Sequence, residues 1–286
     1  MSLTSIGARG GIAHAGVSQG VIELRQAFTG AELIGQLLWP LVTLVALFLV
    51  RDVPIGGGGA TLDTYILPGA LGMFVALGML LVVQQLAADR EDGSLLRARI
   101  TPNGIPAYLV GKSVQISATI LAYLAIVLGP ALLFVDGLAL GRPGSWLTFA
   151  WVLLLGLIAT QGIGAVLGSL VSSSRGAGYV SLPVLALIAI SGVFAPISAL
   201  PAWVAGAAQV FPVYWLGLGM RSALLPESAA ALEVGGTWRP VETAVVLGAW
   251  AVAGLVAAPV VLRRMTRKES GSRVAARRER ALQRVG

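Results

Sequence analysis

The chain has 286 residues, of which 56% are hydrophobic and only 12% charged, and its mean hydropathy is +0.85. A soluble domain of this length would carry roughly twice that charged fraction, so composition argues against a soluble enzyme and against a disordered chain, and the net charge of +7 does not make it a nucleic-acid binder. Cysteine is absent and His14 is the single histidine, which excludes disulfides and leaves zinc or haem sites almost without ligands. Lys112 and Lys268 are the only lysines among 20 basic residues; with abundant Ala, Gly and Val, this points to a GC-rich bacterial genome.

Residues 1–16 read as an N-terminal tail. Over 17–32, Val17, Val21, Leu24 and Phe28 recur at helical spacing, while Gln19, Glu23, Arg25 and Gln26 fall largely off that stripe. Such a segment either lies along the membrane face as an amphipathic helix or extends the first span. A bilayer core of about 30 Å needs around 20 apolar residues in a helix. Six charge-free stretches are long enough: 33–50, 64–88, 113–135, 143–174, 176–220 and 243–262. The first is near the lower limit, and its Pro40 is of the kind that neighbouring helices accommodate. The fifth is too long for one span and is broken by Pro196, Pro201 and Pro212. It divides into a helix over 177–193 and a re-entrant segment over 194–221, where non-helical backbone survives only if protein or water satisfies it. The predicted fold is therefore an all-α integral membrane protein with six transmembrane helices over 33–262 and a basic tail over 263–286.

Basic residues set the orientation. With both termini cytoplasmic, the inner side holds Arg9, Arg25, Arg90, Arg97, Arg99, Lys112, Arg175 and the tail, against only Arg51, Arg142, Arg221 and Arg239 outside. Residues 1–30 lack the compact apolar core of a cleavable signal peptide. The six span cores contain no ionisable residue, whereas proton- or ion-coupled transporters carry them there. Energy for any uphill transport must then come from another subunit. Gly111-Lys112-Ser113 imitates the end of a phosphate-binding loop, but the first glycine is replaced by Pro106 and a span follows instead of a βαβ helix. Lys112 instead marks the inner boundary of the third span. The basic tail suits anionic lipid, with an ATPase contact as the alternative.

Between spans two and three, Asp89-Arg90-Glu91-Asp92-Gly93-Ser94-Leu95-Leu96-Arg97-Ala98-Arg99 concentrates charge in a charge-poor chain. On physical grounds it is either a solvated, topology-setting loop or a short docking helix that Pro102 would end. Here the chain resembles a known family. Arg90-Glu91-x-Gly93-Ser94-Leu95, then Pro102, then Gly111-Lys112, is similar to the R-E-x-G-[ST]-L…P…G-K signature of ABC type-2 permeases. After span five, Ser191-Gly192 through Pro196, Leu200-Pro201, Phe211-Pro212, Tyr214 and Arg221 resembles that family's second pattern. The resemblance covers about 17–265. The family more often has Thr where Ser94 stands, a change that keeps the hydroxyl.

The resemblance implies the membrane subunit of an exporter, with no catalytic, metal or nucleotide site of its own. Two copies of a separate ABC ATPase would bind ATP and Mg, and a second permease subunit would complete a homo- or heterodimer in the bacterial inner membrane. Arg90, Glu91, Gly93, Ser94, Leu95, Arg97 and Pro102 would form the ATPase-coupling segment 89–102, with Glu91 the polar contact, Gly93 the turn and Leu95 the apolar anchor. Val21, Leu24, Arg25 and Phe28 would belong to a connecting helix braced on the same ATPase. Spans two and five would line the pathway, through Met73, Phe74, Met79, Val193 and Phe194, although such side chains equally serve packing. An adaptable Met-containing lining suits hydrophobic or amphipathic cargo such as drugs, antibiotics or lipids. Pro196, Pro201, Trp203, Pro212 and Tyr214 would build an outer gate, a placement equally open to an interfacial aromatic belt. Rival readings are polysaccharide or peptide export, a membrane-embedded lipid-modifying enzyme using Asp63, Asp136 or Glu242, and a structural or receptor-like protein.

Overall fold

The computed structural model describes residues 18, 20–22, 32–55, 60–100, 104–171, 173–193, 197 and 200–267. The chain is built from α1 (Glu32–Leu49), α2 (Leu62–Glu91), α3 (Ser94–Ile100), α4 (Gly104–Ala131), α5 (Pro143–Leu170), α6 (Ser174–Ile190), α7 (Ala202–Val210), α8 (Pro212–Leu224) and α9 (Pro240–Arg267). Two 3-10 turns, Glu227–Leu232 and Val234–Gly236, join α8 to α9. A two-residue antiparallel ladder, β1 (Pro54–Ile55) with β2 (Ala60–Thr61), lies between α1 and α2.

By length and composition, α2, α4, α5 and α9 are each able to cross a membrane. The apolar helices α1 and α6 are shorter, at 18 and 17 residues, or about 25–27 Å of helix. Contacts between helix ends show an alternating course. The start of α2 meets the loop after α4, where Thr64 Oγ1 donates to the Asp136 carbonyl at 3.0 Å. The end of α2 meets the start of α4, the end of α5 and the start of α6. The bundle thus has an Arg90 end and, opposite it, an Arg221 end.

α2 is the central helix. It packs on α4, α5, α6 and α8, and most of its residues are buried. Its apolar residues surround the axis, as enclosure on all sides requires. α5 packs most extensively on α9. At their crossing a Cβ on Gly254 would lie only 2.8 Å from Gly162 Cα, so these two glycines let the backbones approach as small residues do in membrane helix pairs. Beyond the crossing, α9 keeps an exposed apolar face that includes Val252, Leu255 and Val256.

Charge-free stretches locate the helices but not their ends. α4 starts at Gly104, so Lys112 lies two turns inside it, and its ammonium reaches Asp89 at 3.1 Å. The segment 89–102 also divides differently: Asp89 to Glu91 form the last turn of α2, Asp92 and Gly93 make a turn, and α3 follows. Gly93 has φ of 79°, in the left-handed region that glycine enters without penalty. The Asp92 carboxylate accepts the Ser94 N–H at 2.7 Å, capping the new helix.

In the expected re-entrant region, the described residues are mostly helical. Phe211, extended at φ −94° and ψ 154°, makes the corner between α7 and α8, and Pro212 opens α8 where its missing N–H costs nothing. Every residue of α8 except Ser222 is buried, with α2 and α5 as its main neighbours. A helix satisfies its own backbone, so this segment can sit deep without water.

Candidate functional site

At the Arg90 end, three consecutive residues of α2 each hold a different helix. The Asp89 carboxylate accepts from Tyr108 Oη at 2.6 Å and pairs with Lys112 at 3.1 Å, both on α4. Arg90, nearly buried, donates from Nη2 to the Ser169 carbonyl in the last turn of α5 at 2.9 Å. Glu91 accepts twice from the first residue of α6: from Ser174 N at 3.1 Å and Ser174 Oγ at 2.6 Å. Successive helical residues point about 100° apart, which is how one turn reaches three neighbours.

Arg90 and Glu91 also match the helix ends they touch. The last carbonyls of a helix and its first N–H groups lack intrahelical partners and carry opposite partial charge. The guanidinium sits at the carbonyl end of α5 and the carboxylate at the amide end of α6. Ser173 completes the α6 cap by accepting from Gly176 N at 3.2 Å. The α5–α6 turn is thus held on both sides by adjacent residues of α2.

α3 lies on α4 and α2. Leu95 is 2% exposed and belongs to the chain's own core, so it anchors α3 to the bundle. Ser94 is half-buried, with its hydroxyl accepting from Arg97 Nη2 at 2.8 Å. Arg97 and Ile100 are exposed, the latter at 80%, and they form the outward surface of α3. Pro102 lies outside the described residues, as do Leu24, Arg25 and Phe28 of the expected connecting helix. Of that helix, Ser18 and Gly20 to Ile22 are described and helical. Gly20 is buried against Gly111 and Val114 of α4, while Val21 is exposed.

At the Arg221 end, Arg221 and Glu233 form an ion pair with both side chains fully buried. Arg221 Nε donates to Glu233 Oε1 at 2.6 Å and Nη2 to Oε2 at 3.3 Å. Arg221 Nη1 donates to the Gly192 carbonyl at 3.0 Å, and Tyr65 Oη donates to Glu233 Oε1 at 3.3 Å. The guanidinium carbon also lies 5.3 Å from the centroid of the Tyr65 ring. One pair therefore joins α2, the segment after α6, α8 and the 3-10 turns. Arg239 stands nearby over Trp215, 4.7 Å from its centroid, and donates to Gln209 Oε1 at 2.9 Å.

The residues assigned to an outer gate separate into two environments. Pro201 and Trp203, at the start of α7, are exposed, whereas Pro212 and Tyr214, at the start of α8, are buried. Pro196 lies outside the described residues. The pathway residues separate similarly. Phe74 and Val193 are buried in the core, with Phe74 against Tyr123 at 5.6 Å between centroids. Met73 is half-buried, and Phe194 is outside the described residues. Met79 alone among them lines a cavity of about 630 Å³, walled by α5, α6 and α9 through Val166, Leu167, Val184, Leu187, Trp250 and Ala253. Phe211 and Pro212 also line it.

The sequence reading did not find Ser174, Gln209 or Glu233. Glu233 did leave a signal: it is a lone acid between apolar residues and the Gly235-Gly236 pair, close after a basic residue at 221. Among the described residues, no three His, Asp or Glu side chains gather as a metal site would need. Asp63 is buried at the start of α2, Asp136 is exposed, and Glu242 is exposed and paired with Arg239 at 3.4 Å.

Long apolar helices around an enclosed central one, with charge gathered at the helix ends, define a multi-pass helical membrane protein. The sequence model of the family described as ABC-2 family transporter protein matches residues 56–260, well over half of the chain. The chain belongs to that family and is a permease subunit of an ABC transporter; membrane subunits of this family generally work with separate ABC ATPases. No curated protein matches it.

Proposed function

We propose that this subunit exports hydrophobic or amphipathic molecules, such as drugs, antibiotics or lipids, from the cytoplasm or inner leaflet of a bacterial inner membrane. Its six spans are α1, α2, α4, α5, α6 and α9, with both termini cytoplasmic, and the α7–α8 hairpin lies in the outer leaflet as a gate. Two copies of a partner ATPase bind ATP and Mg and drive a dimer of permease subunits. The 17–32 helix braces the same ATPase.

The Arg90 end carries this reading. A short helix with Arg97 and Ile100 facing outward sits directly on a turn of α2 that grips three other helices. A push on α3 would therefore reach most of the bundle. The apolar, Met-containing walls of the cavity beside Met79 support hydrophobic cargo, since flexible thioethers adapt to varied apolar shapes.

Photo-cross-linking tests the docking. A photoreactive residue at Arg97 or Ile100 is expected to give an adduct with the ATPase in native membranes, and one at Val252 on the exposed face of α9 is not. An adduct from α9 with none from α3 would overturn the docking surface.

A further inference from the structure

We infer that Glu91 and Ser174 are positioning residues that carry the stroke of the ATPase from α3 to α6. The inference rests on the proposed docking of the ATPase at α3.

The geometry has three parts. α3 follows α2 across only Asp92 and Gly93, so displacement of α3 acts at once on Glu91. Glu91 holds the first residue of α6 through both of its carboxylate oxygens, at 3.1 and 2.6 Å. The two neighbouring grips have different character: Asp89 and Lys112 are 13% and 16% exposed at their side chains and Arg90 is 6% exposed, whereas the Glu91–Ser174 contact is open to solvent.

That difference assigns the roles. Asp89 and Arg90 are enclosed by the helices they hold, so α4 and the end of α5 move with α2 as one body. The Glu91 grip sits in water and at a helix start, where a carboxylate exchanges for solvent at little cost. α6 also makes few contacts besides those with α2 and forms one wall of the apolar cavity. It is the wall that can be shifted alone, and Glu91 is the handle on it. Ser174 supplies both atoms that the carboxylate grips, the N–H and the hydroxyl.

The test follows α6 directly and needs no cargo. The chain has no cysteine, and Gly178 on α6 is exposed with no atom within 4 Å of its would-be Cβ. In the full complex with the copurifying ATPase, Gly178→Cys reports α6 through its rate of reaction with a soluble maleimide. Between the nucleotide-free and vanadate-trapped states, that rate is expected to change by at least about fivefold, the lower end of ordinary coupling between sites. With Glu91→Ala added, the ratio is expected to fall towards one, and with Ser174→Ala, which keeps the N–H bond, part of the way. The two changes together should do no more than Glu91→Ala alone, because they break one link. Ser174→Thr, which keeps the hydroxyl, should restore the ratio.

Ratios unchanged by either variant, or effects that add, would overturn the inference while leaving the docking reading intact. So would loss of ATPase binding in Glu91→Ala alone, since Glu91 would then touch the partner itself. No copurifying ATPase at all would overturn both.

Discussion

Both ends of the bundle use an arginine and a glutamate to tie helices together, and they do it in opposite ways. At the Arg221 end the two charges meet each other, fully buried, and the remaining bonds go to Tyr65 and the Gly192 carbonyl. At the Arg90 end the adjacent Arg90 and Glu91 grip two different helix ends. The buried pair locks one arrangement, because separating its members exposes charge to a dry interior. The solvent-open Glu91 grip on α6 is weak, roughly 0.3–1 kcal/mol, and can reform after a shift, whereas Arg90 is enclosed by the helix end it holds. In the proposed orientation, the sealed end faces outside and the exchangeable end faces the ATPase.

Substitutions can break that contrast in order of size. Glu233→Ala leaves Arg221 buried and uncompensated, and should destabilise the protein by about 3–5 kcal/mol. Thermal unfolding in detergent reads this. The double change Arg221→Leu with Glu233→Leu should cost less than Glu233→Ala alone; a larger loss would mean that the pair contributes through packing and not through charge. Arg90→Leu strips the Ser169 carbonyl of its partner and should cost roughly 1–3 kcal/mol by the same measurement. Ser174→Ala should cost only about 0.5–1.5 kcal/mol, while it removes part of the coupling. Smallest is Arg51→Ala. Its pair with Asp52 at 3.3 Å is on the surface, and no measurable change in melting is expected. A substantial loss there would show that exposed pairs matter in this protein, and the contrast between the two ends would fail with it.

Much of this architecture was legible because a bilayer imposes a strong length rule on apolar helices. The stretches 33–50, 64–88 and 243–262 each fall on one helix, displaced by a few residues. Helix ends were less legible: α4 begins two turns before Lys112, whose ammonium reaches Asp89 on a neighbouring helix. Leu95 was readable as an apolar anchor, but one sequence does not say for which surface, and it faces the chain's own core. The triplet Asp89-Arg90-Glu91 stood out as charge, yet its division among α4, α5 and α6 is a tertiary fact. Ser174 was missed because its partner lies 83 residues away, which no local pattern encodes, whereas Glu233, 12 residues after Arg221, was visible as a lone acid but not as a partner.

The most direct test of the account is to purify the tagged protein in mild detergent and assay what accompanies it for vanadate-sensitive ATP hydrolysis. The account predicts an ATPase in stoichiometric amount whose activity depends on this subunit. A chain that purifies alone and carries no such activity would contradict it.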